Sequence, residues 1–474
     1  MLIPTVSFIP PASTTDDAKC SRLRRLSTLG LVYASLPHQM LLELAPLVRD
    51  DHKTLQSNAL KATVLGTRTL LGPFSVDMMQ EIALWLDQGL DQVLVNAVSS
   101  QDEELERVAV AVSELPLTRV VLRIPVPSLD FVEFVAKLER LTHVASGVVL
   151  TIDSGTDALD TLLAILQTVR KSMEETFFFV VEFSTGLPAG YTSEKVLAMI
   201  RDLHHCKIHV VAPGYCHGEG EKTGDFVTSD GEVMVDAALA FVQCLRTDRP
   251  DGLFTTVVAD EAGVALGLVY SSAESIVAAV SSGRGVYYSR SRGGLWKKGE
   301  SSGNTQELIR IDMDCDSDAL RFTVSQTGAG FCHLNTRTCW GHDGGLRALE
   351  SMLFSRHEDA PPGSYTKRLF DDTELLRSKL VEEAQELAEA ESVSDVAGEA
   401  ADVMYFAMVR CVAAGCKLRD VEKMLDQRAL KVKRRPGNSK VYRIAAANRI
   451  LNSKGLLNSH SSAASASTES NQQS

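Results

Sequence analysis

Basic charge is what this 474-residue chain has least of: 48 Lys and Arg stand against 61 Asp and Glu, a formal net charge of -13. A chain with so little positive field is a poor match for nucleic-acid backbones or anionic membranes, so neither is expected as a partner. An anionic nucleotide could still bind, through metal ions or a local basic cluster. Long apolar runs are missing too. Nothing approaches 18 uninterrupted apolar residues, which predicts no transmembrane helix. The opening MLIPTVSFIPPASTTDD lacks the basic start and apolar core of a secretory leader, so a cytoplasmic location is expected. Cysteines number nine and lie far apart. An odd, scattered set excludes a regular disulfide framework and reads as buried, catalytic or metal-bound thiols in a reducing compartment. No internal repeat is present, and the glycines of GYCHGEGEKTG (214–224) have neither Walker nor Rossmann spacing.

What is present is an ordinary globular composition, 45% hydrophobic and 23% charged, in a chain long enough to demand two to four domains. A flexible N-terminus is expected over 1–28, from its Pro, Ser and Thr content. Over 29–248, short β-branched runs alternate with amphipathic helical stretches. That pattern predicts βαβ units and a parallel sheet, open or closed into a barrel. Shorter strand-like segments with one helix predict a small α+β domain over 249–345. Residues 346–363, ending in HEDAPPG, read as a linker. The pattern over 364–445 is purely helical, with Gly415 ending one helix. Residues 446–474 read as a tail, low in complexity and expected to be disordered from about 457.

Two constellations carry chemistry. In the segment 314–318, Asp314, Asp316 and Asp318 alternate with Cys315 and Ser317. On an extended strand the three carboxylates share a face, where they repel one another unless a hard cation such as Mg²⁺ sits among them. Cys315 is followed by Cys332 and Cys339. Three thiolates leave one tetrahedral zinc position open for water, and His333 beside them is a candidate base. Spacing alone equally allows three buried cysteines, or a structural zinc closed by His333 or His342.

The run SRSRGGLWKKGESSGNTQ (289–306), with DGL at 251–253, DCDSDAL at 314–320 and the later cysteines, resembles phosphoribosyl-AMP cyclohydrolase over essentially that family's length. The resemblance implies zinc on Cys315, Cys332 and Cys339 and Mg²⁺ on Asp314, Asp316 and Asp318. It also implies a homodimer with zinc near the subunit interface. The reaction implied is hydrolytic opening of an N1-ribosylated adenine between N1 and C6. Arg290, Arg292, Lys297 and Lys298 are candidate phosphate contacts, and Ser302, Gly303 and Asn304 a candidate cradle. Trp296 is read either as core or as a cleft-edge residue.

The second constellation is KLVEEAQEL followed by EAADVMYF. Glu382, Glu383 and Glu386 share a helical face, and Glu399 and Asp402 do so one helix later. A turn between the helices would make them a Mg²⁺ cage, whereas Glu runs are otherwise solvated faces. With SYTKRLF (364–370) and KVKRRPGNSK (431–440), this stretch resembles phosphoribosyl-ATP pyrophosphohydrolase, a relative of the all-α MazG-type pyrophosphohydrolases. The resemblance makes those five acids metal-binding and catalytic candidates, and Arg368, Lys379, Arg434 and Arg435 triphosphate contacts. The two activities are consecutive. The arrangement as a whole resembles the multifunctional histidine-biosynthesis proteins of fungi without their histidinol dehydrogenase domain. The alternative is a general nucleoside triphosphate pyrophosphatase carrying a structural zinc module. The front half, with Asp153 and Glu182 at strand ends, is expected to be a degenerate, scaffolding barrel.

Overall fold

The computed structural model describes residues 1–8, 17–46, 59–126, 131–152, 166–167, 170–171, 177–184, 192–216, 226–227 and 233–432. Asp153, His217, Arg434, Arg435 and the tail at 446–474 lie outside them. The chain divides into two compact units, with the boundary between Trp340 and Gly341.

The first unit begins with eight strands: β1 (Leu2–Ser7), β2 (Val32–Ser35), β3 (Thr69–Phe74), β4 (Gln92–Asn96), β5 (Val120–Pro125), β6 (Gly147–Ile152), β7 (Phe178–Phe183) and β8 (Ile208–Tyr215). Each pairs in parallel with the next, and β1 closes on β8, so the sheet is a barrel. Apolar β-branched runs suit this architecture because a parallel strand is buried on both faces. One residue per strand fills the middle of the barrel: Ile3, Tyr33, Leu70, Leu94, Val121, Val149, Val180 and Val211. Strand alternation turns the residue two places further along each strand inward as well. That next layer is Thr5, Ser35, Gly72, Asn96, Arg123, Thr151, Glu182 and Pro213. Gly72 is required there, since a Cβ would come within 2.6 Å of the Leu94 carbonyl oxygen. A short pair, β9 (Phe226–Val227) and β10 (Val233–Asp236), extends β8.

One expectation is corrected here. Residues 1–8 and 17–28 are not loose: Leu2, Ile3, Val6 and Phe8 are buried, β1 lies between β2 and β8, and Asp17–Leu26 form a helix. Pro4 and Thr5 inside the strand and Ser7 at its end break up its short apolar run. Gly72-Pro73 has the character of turn punctuation, which disguises β3 in the sequence.

The same unit continues with β11 (Phe254–Ala259), β12 (Ala265–Ser271), β13 (Val286–Ser289), β14 (Gly294–Lys297), β15 (Gln306–Met313) and β16 (Ala319–Gln326). They form a six-stranded sheet in the order β14-β13-β12-β11-β16-β15, with only β11 and β16 parallel. The helix Ala273–Ser282 is held by a Ser272/Ser275 capping box and ends at Gly283 in the left-handed region. This is the small α+β arrangement expected.

The second unit is helical: Gly345–Glu358, Tyr365–Asp371, Thr373–Glu389, Val393–Ala413 and Leu418–Ala429. Its core joins Leu353, Leu369, Leu376, Phe406, Val409 and Val412. The expected linker at 346–363 is therefore corrected. Leu349 and Leu353 recur at helical spacing and pack into that core, so most of the segment is a structural helix.

Candidate active sites on the hairpin loop and the helix pair

Asp314, Asp316 and Asp318 do not lie on a strand, as expected above, but on the turn joining β15 to β16. The turn still brings their carboxylates within 4.8 Å of one another, all three exposed. Asp314 Oδ1 accepts the backbone N–H of Asp318 (2.9 Å) and of Ala319 (3.1 Å). Burial works against ionisation of Asp314, but these N–H groups outweigh it and hold its carboxyl below the ordinary range. The negative charges of Asp316 and Asp314 push Asp318 up. A cation would relieve that repulsion.

The turn is held from outside. Ser317 is buried with φ of 68°, a region few non-glycine residues adopt. Its Oγ lies 3.0 Å from His204 Nε2, and its carbonyl accepts from Arg246 N at 2.8 Å. Lys207 Nζ donates to the Cys315 carbonyl. His204 and Lys207 come from the barrel, at the end of the helix Ser193–His205 and just after it. Sequence reasoning missed both, because no local pattern links residues more than a hundred positions apart.

Cys332 and Cys339 lie close together. The Leu334 N–H, then the Thr336 hydroxyl, Cys339 and Lys298, hold the Cys332 thiol below its ordinary range, against some burial. Burial and the neighbouring Cys332 thiolate push Cys339 up. Burial lowers the Lys298 ammonium, and the two thiols partly offset this. Lys298 Nζ sits 4.7 Å from the centre of the Phe331 ring and 5.4 Å from that of Trp296. His333 Nδ1 is 4.0 Å from Cys332 Sγ, with the ring exposed. The loop between the cysteines is fixed by Arg337, which pairs with buried Asp260. Neither of these two was singled out in the sequence.

Cys315 is not brought to the other two. Cys339 N donates to Leu266 O, at the level of Val258 and Phe322, whereas the 314–318 turn lies beyond Ala319, opposite Thr255. At ~3.3 Å per residue that separates them by at least about 10 Å along the strands.

Arg290 and Arg292 lie exposed on the β13–β14 turn, with the Arg290 guanidinium 4.1 Å from the Tyr270 ring centre. Lys297 is exposed, and Trp296 is half-buried beside Tyr287 at 5.9 Å. Ser302 and Gly303 are exposed, whereas Asn304 Oδ1 accepts from Ala329 N at 3.0 Å and so shapes the loop leading to Cys332.

In the helical unit, Glu383, Glu386 and Glu399 place carboxylate oxygens within 4.8 Å of one another. Glu383 is buried, and Glu399 Oε2 is shielded from solvent without a hydrogen-bond partner among the described residues. Burial, then the charges of Glu383 and Glu399, raise the Glu386 carboxyl. Lys379 Nζ bridges Glu382 Oε2 (2.8 Å) and Glu383 Oε1 (2.7 Å). Burial opposes its charge, but those bonds outweigh it and hold the ammonium above its ordinary range. Glu382 and Asp402 stand outside the three-carboxylate cluster, and Arg368 is exposed.

Residues 267–341 match the family model for phosphoribosyl-AMP cyclohydrolase, and residues 346–429 match that for phosphoribosyl-ATP pyrophosphohydrolase. A histidine biosynthesis bifunctional protein HisIE from Parasynechococcus marenigrum is 34% identical over 211 residues, covering 40% of this chain and 94% of that protein. The chain belongs to this histidine-biosynthesis family. Fungal members are more similar in sequence. The bifunctional protein his7 of Schizosaccharomyces pombe is 56% identical over 196 residues, 41% of this chain and 47% of its own length. The trifunctional protein of Komagataella pastoris is 58% identical over 196 residues, 41% of this chain and 23% of its own length. The chain thus spans about a quarter to a half of the fungal relatives it matches. Both candidate clusters fall inside the matched spans, as does the helix Gly345–Glu358 after its first residue. The barrel and β11 fall outside them. Among the described residues, no helix is long and apolar enough to cross a membrane.

Proposed function

We propose that the chain performs two successive hydrolyses, removing pyrophosphate from phosphoribosyl-ATP in the MazG-like helical unit and opening the adenine ring of phosphoribosyl-AMP at the β-sheet site. The observation that carries this is the coincidence of two family matches with two separate clusters of metal-type donors.

The donors fit the metals the family implies. Glu399 Oε2 has no hydrogen-bond partner among the described residues and lies against Glu383 and Glu386, an arrangement that a divalent cation completes. Cys332 carries a thiol with a lowered pKa beside a second cysteine, as zinc ligation requires. Bound there, zinc would supply a water acidic enough to ionise near neutral pH, and Mg²⁺ would offset phosphate charge. Cys332 and Cys339 would hold zinc, Asp314, Asp316 and Asp318 one Mg²⁺, and Glu383, Glu386 and Glu399 another, with Glu382 and Asp402 flanking it.

The chain's own side chains do the rest. His333, exposed beside Cys332, takes the proton from the attacking water. Lys298 raises the positive potential around the thiols. Arg290 and Arg292, on a turn with room for a ligand, face the phosphates. In the helical unit Lys379 holds Glu382 and Glu383 in place, and Arg368 is free to meet the triphosphate. Zinc completion falls to a homodimer, because Cys315 lies at the far end of the sheet within one chain. A second copy would bring its own Cys315 to Cys332 and Cys339. The barrel serves as scaffold for the 314–318 turn through His204 and Lys207.

Turnover of phosphoribosyl-ATP by the full chain with Zn²⁺ and Mg²⁺ tests this. Wild type should yield the ring-opened product, Cys332→Ala should stop at phosphoribosyl-AMP, and Glu383→Ala should leave phosphoribosyl-ATP intact. Cleavage of common nucleoside triphosphates with no action on phosphoribosyl-ATP would replace this reading with a general pyrophosphatase and a structural zinc.

A further inference from the structure

The barrel holds a polar layer that neither hydrolysis uses. Above the apolar ring, at the C-terminal ends of the strands, a charged pair and several hydroxyls point inward, where barrel proteins bind their ligands. Arg123 Nε donates to Glu182 Oε2 at 2.6 Å, and its Nη1 donates to Asn96 Oδ1 at 3.3 Å. Thr151 Oγ1 donates to the same Glu182 oxygen at 3.4 Å. An ion pair inside a barrel loses hydration that apolar side chains would not have needed. The pair lines a cavity of about 250 Å³ together with Thr5, Ser35 and Tyr33. That volume holds roughly eight water-sized groups at about 30 Å³ each. Thr5 Oγ1 is shielded from solvent and has no hydrogen-bond partner among the described residues.

The charges narrow the ligand class. Arg123 and Glu182 cancel, so an anion meets Glu182 and a cation meets Arg123, each without a spare counter-charge among the described lining residues. An apolar ligand would strip water from the pair with nothing to replace it. A neutral molecule whose groups both donate and accept suits hydroxyls and a bridged ion pair. Phe183 and Pro213 offer C–H-rich walls on the same cavity.

We propose that the mouth of the barrel is a binding site for an uncharged polyhydroxylated compound of about pentose size. D-ribose and D-xylose titrated calorimetrically into the full chain should show saturable uptake of at least one of them, one molecule per chain. Thr5→Val, close in shape but without the hydroxyl, should weaken that uptake at least tenfold, with the melting temperature of the sugar-free protein unchanged or raised. Ser35→Ala should weaken it too, and ribose 5-phosphate should bind more weakly than ribose because its phosphate faces Glu182. Four outcomes would overturn the proposal. They are no saturable uptake of either pentose, equal affinity in wild type and Thr5→Val, a melting temperature that drops in Thr5→Val, or tighter binding of the phosphate ester than of the free sugar.

Discussion

At the residue scale, the carboxylate triad of the helical unit is the clearest case of charges held together against their own repulsion. Glu386 has a raised carboxyl, so the folded state binds its proton more tightly than the unfolded chain does. Stability from this group is therefore present at low pH and is lost as pH rises from its ordinary value through the raised one. Without metal, Glu386→Gln should melt higher than wild type above that window and equally below it, in thermal scans run in a chelator. Saturating Mg²⁺ should reverse the order at neutral pH, because the ion binds only the folded cluster of the wild type. Lys379 was expected to meet the triphosphate, yet its ammonium is already engaged by Glu382 and Glu383. Composition along a helix shows which residues share a face. It does not show which of them have already found partners.

At the scale of single elements, the 314–318 turn and the helix Gly345–Glu358 carry the main lessons. Alternate acids mimic strand periodicity, so the sequence predicts a strand where the turn lies. Ser317, in the left-handed region, folds it instead, and His204 of the barrel anchors the Ser317 hydroxyl. Loss of that bond should cost about 1 kcal/mol of loop order. Ser317→Ala and His204→Ala should each slow phosphoribosyl-AMP turnover by about fivefold, and the double variant by no more than either alone. Pyrophosphate release from phosphoribosyl-ATP should not change in any of the three. The helix Gly345–Glu358 was read as a linker because its end is rich in Pro and Gly. Leu353→Ala should destabilise the helical unit by about 2–5 kcal/mol, as expected for a cavity in a small core, measurable by denaturant unfolding. A true linker would tolerate it.

At the scale of the whole molecule, sharing of cysteines between copies can be tested directly. Mixed Cys315→Ala and Cys332→Ala chains, each inactive in ring opening, should regain roughly a quarter of wild-type activity after co-refolding. Half of the dimers are then mixed, and one of the two symmetric sites in each is intact. No recovery would place all zinc ligands in one chain. The barrel, outside both family matches, is packed in one unit with the β-sheet site and hydrogen-bonds to its loop through His204 and Lys207. It thereby holds the turn that carries the acidic cluster, a contact that its own motif-poor sequence did not announce.

The sequence by itself determined the alternating α/β front half, the strand-rich middle, the helical end and both acid- and cysteine-bearing motifs. These are local properties, written in period and spacing over a few dozen residues. Barrel closure by β1, the polar layer above Tyr33, the grip of His204 on Ser317 and the separation of Cys315 from Cys332 were decided only in three dimensions. Each depends on strand register across distant segments, and a one-residue change of register would turn a different set of side chains inward.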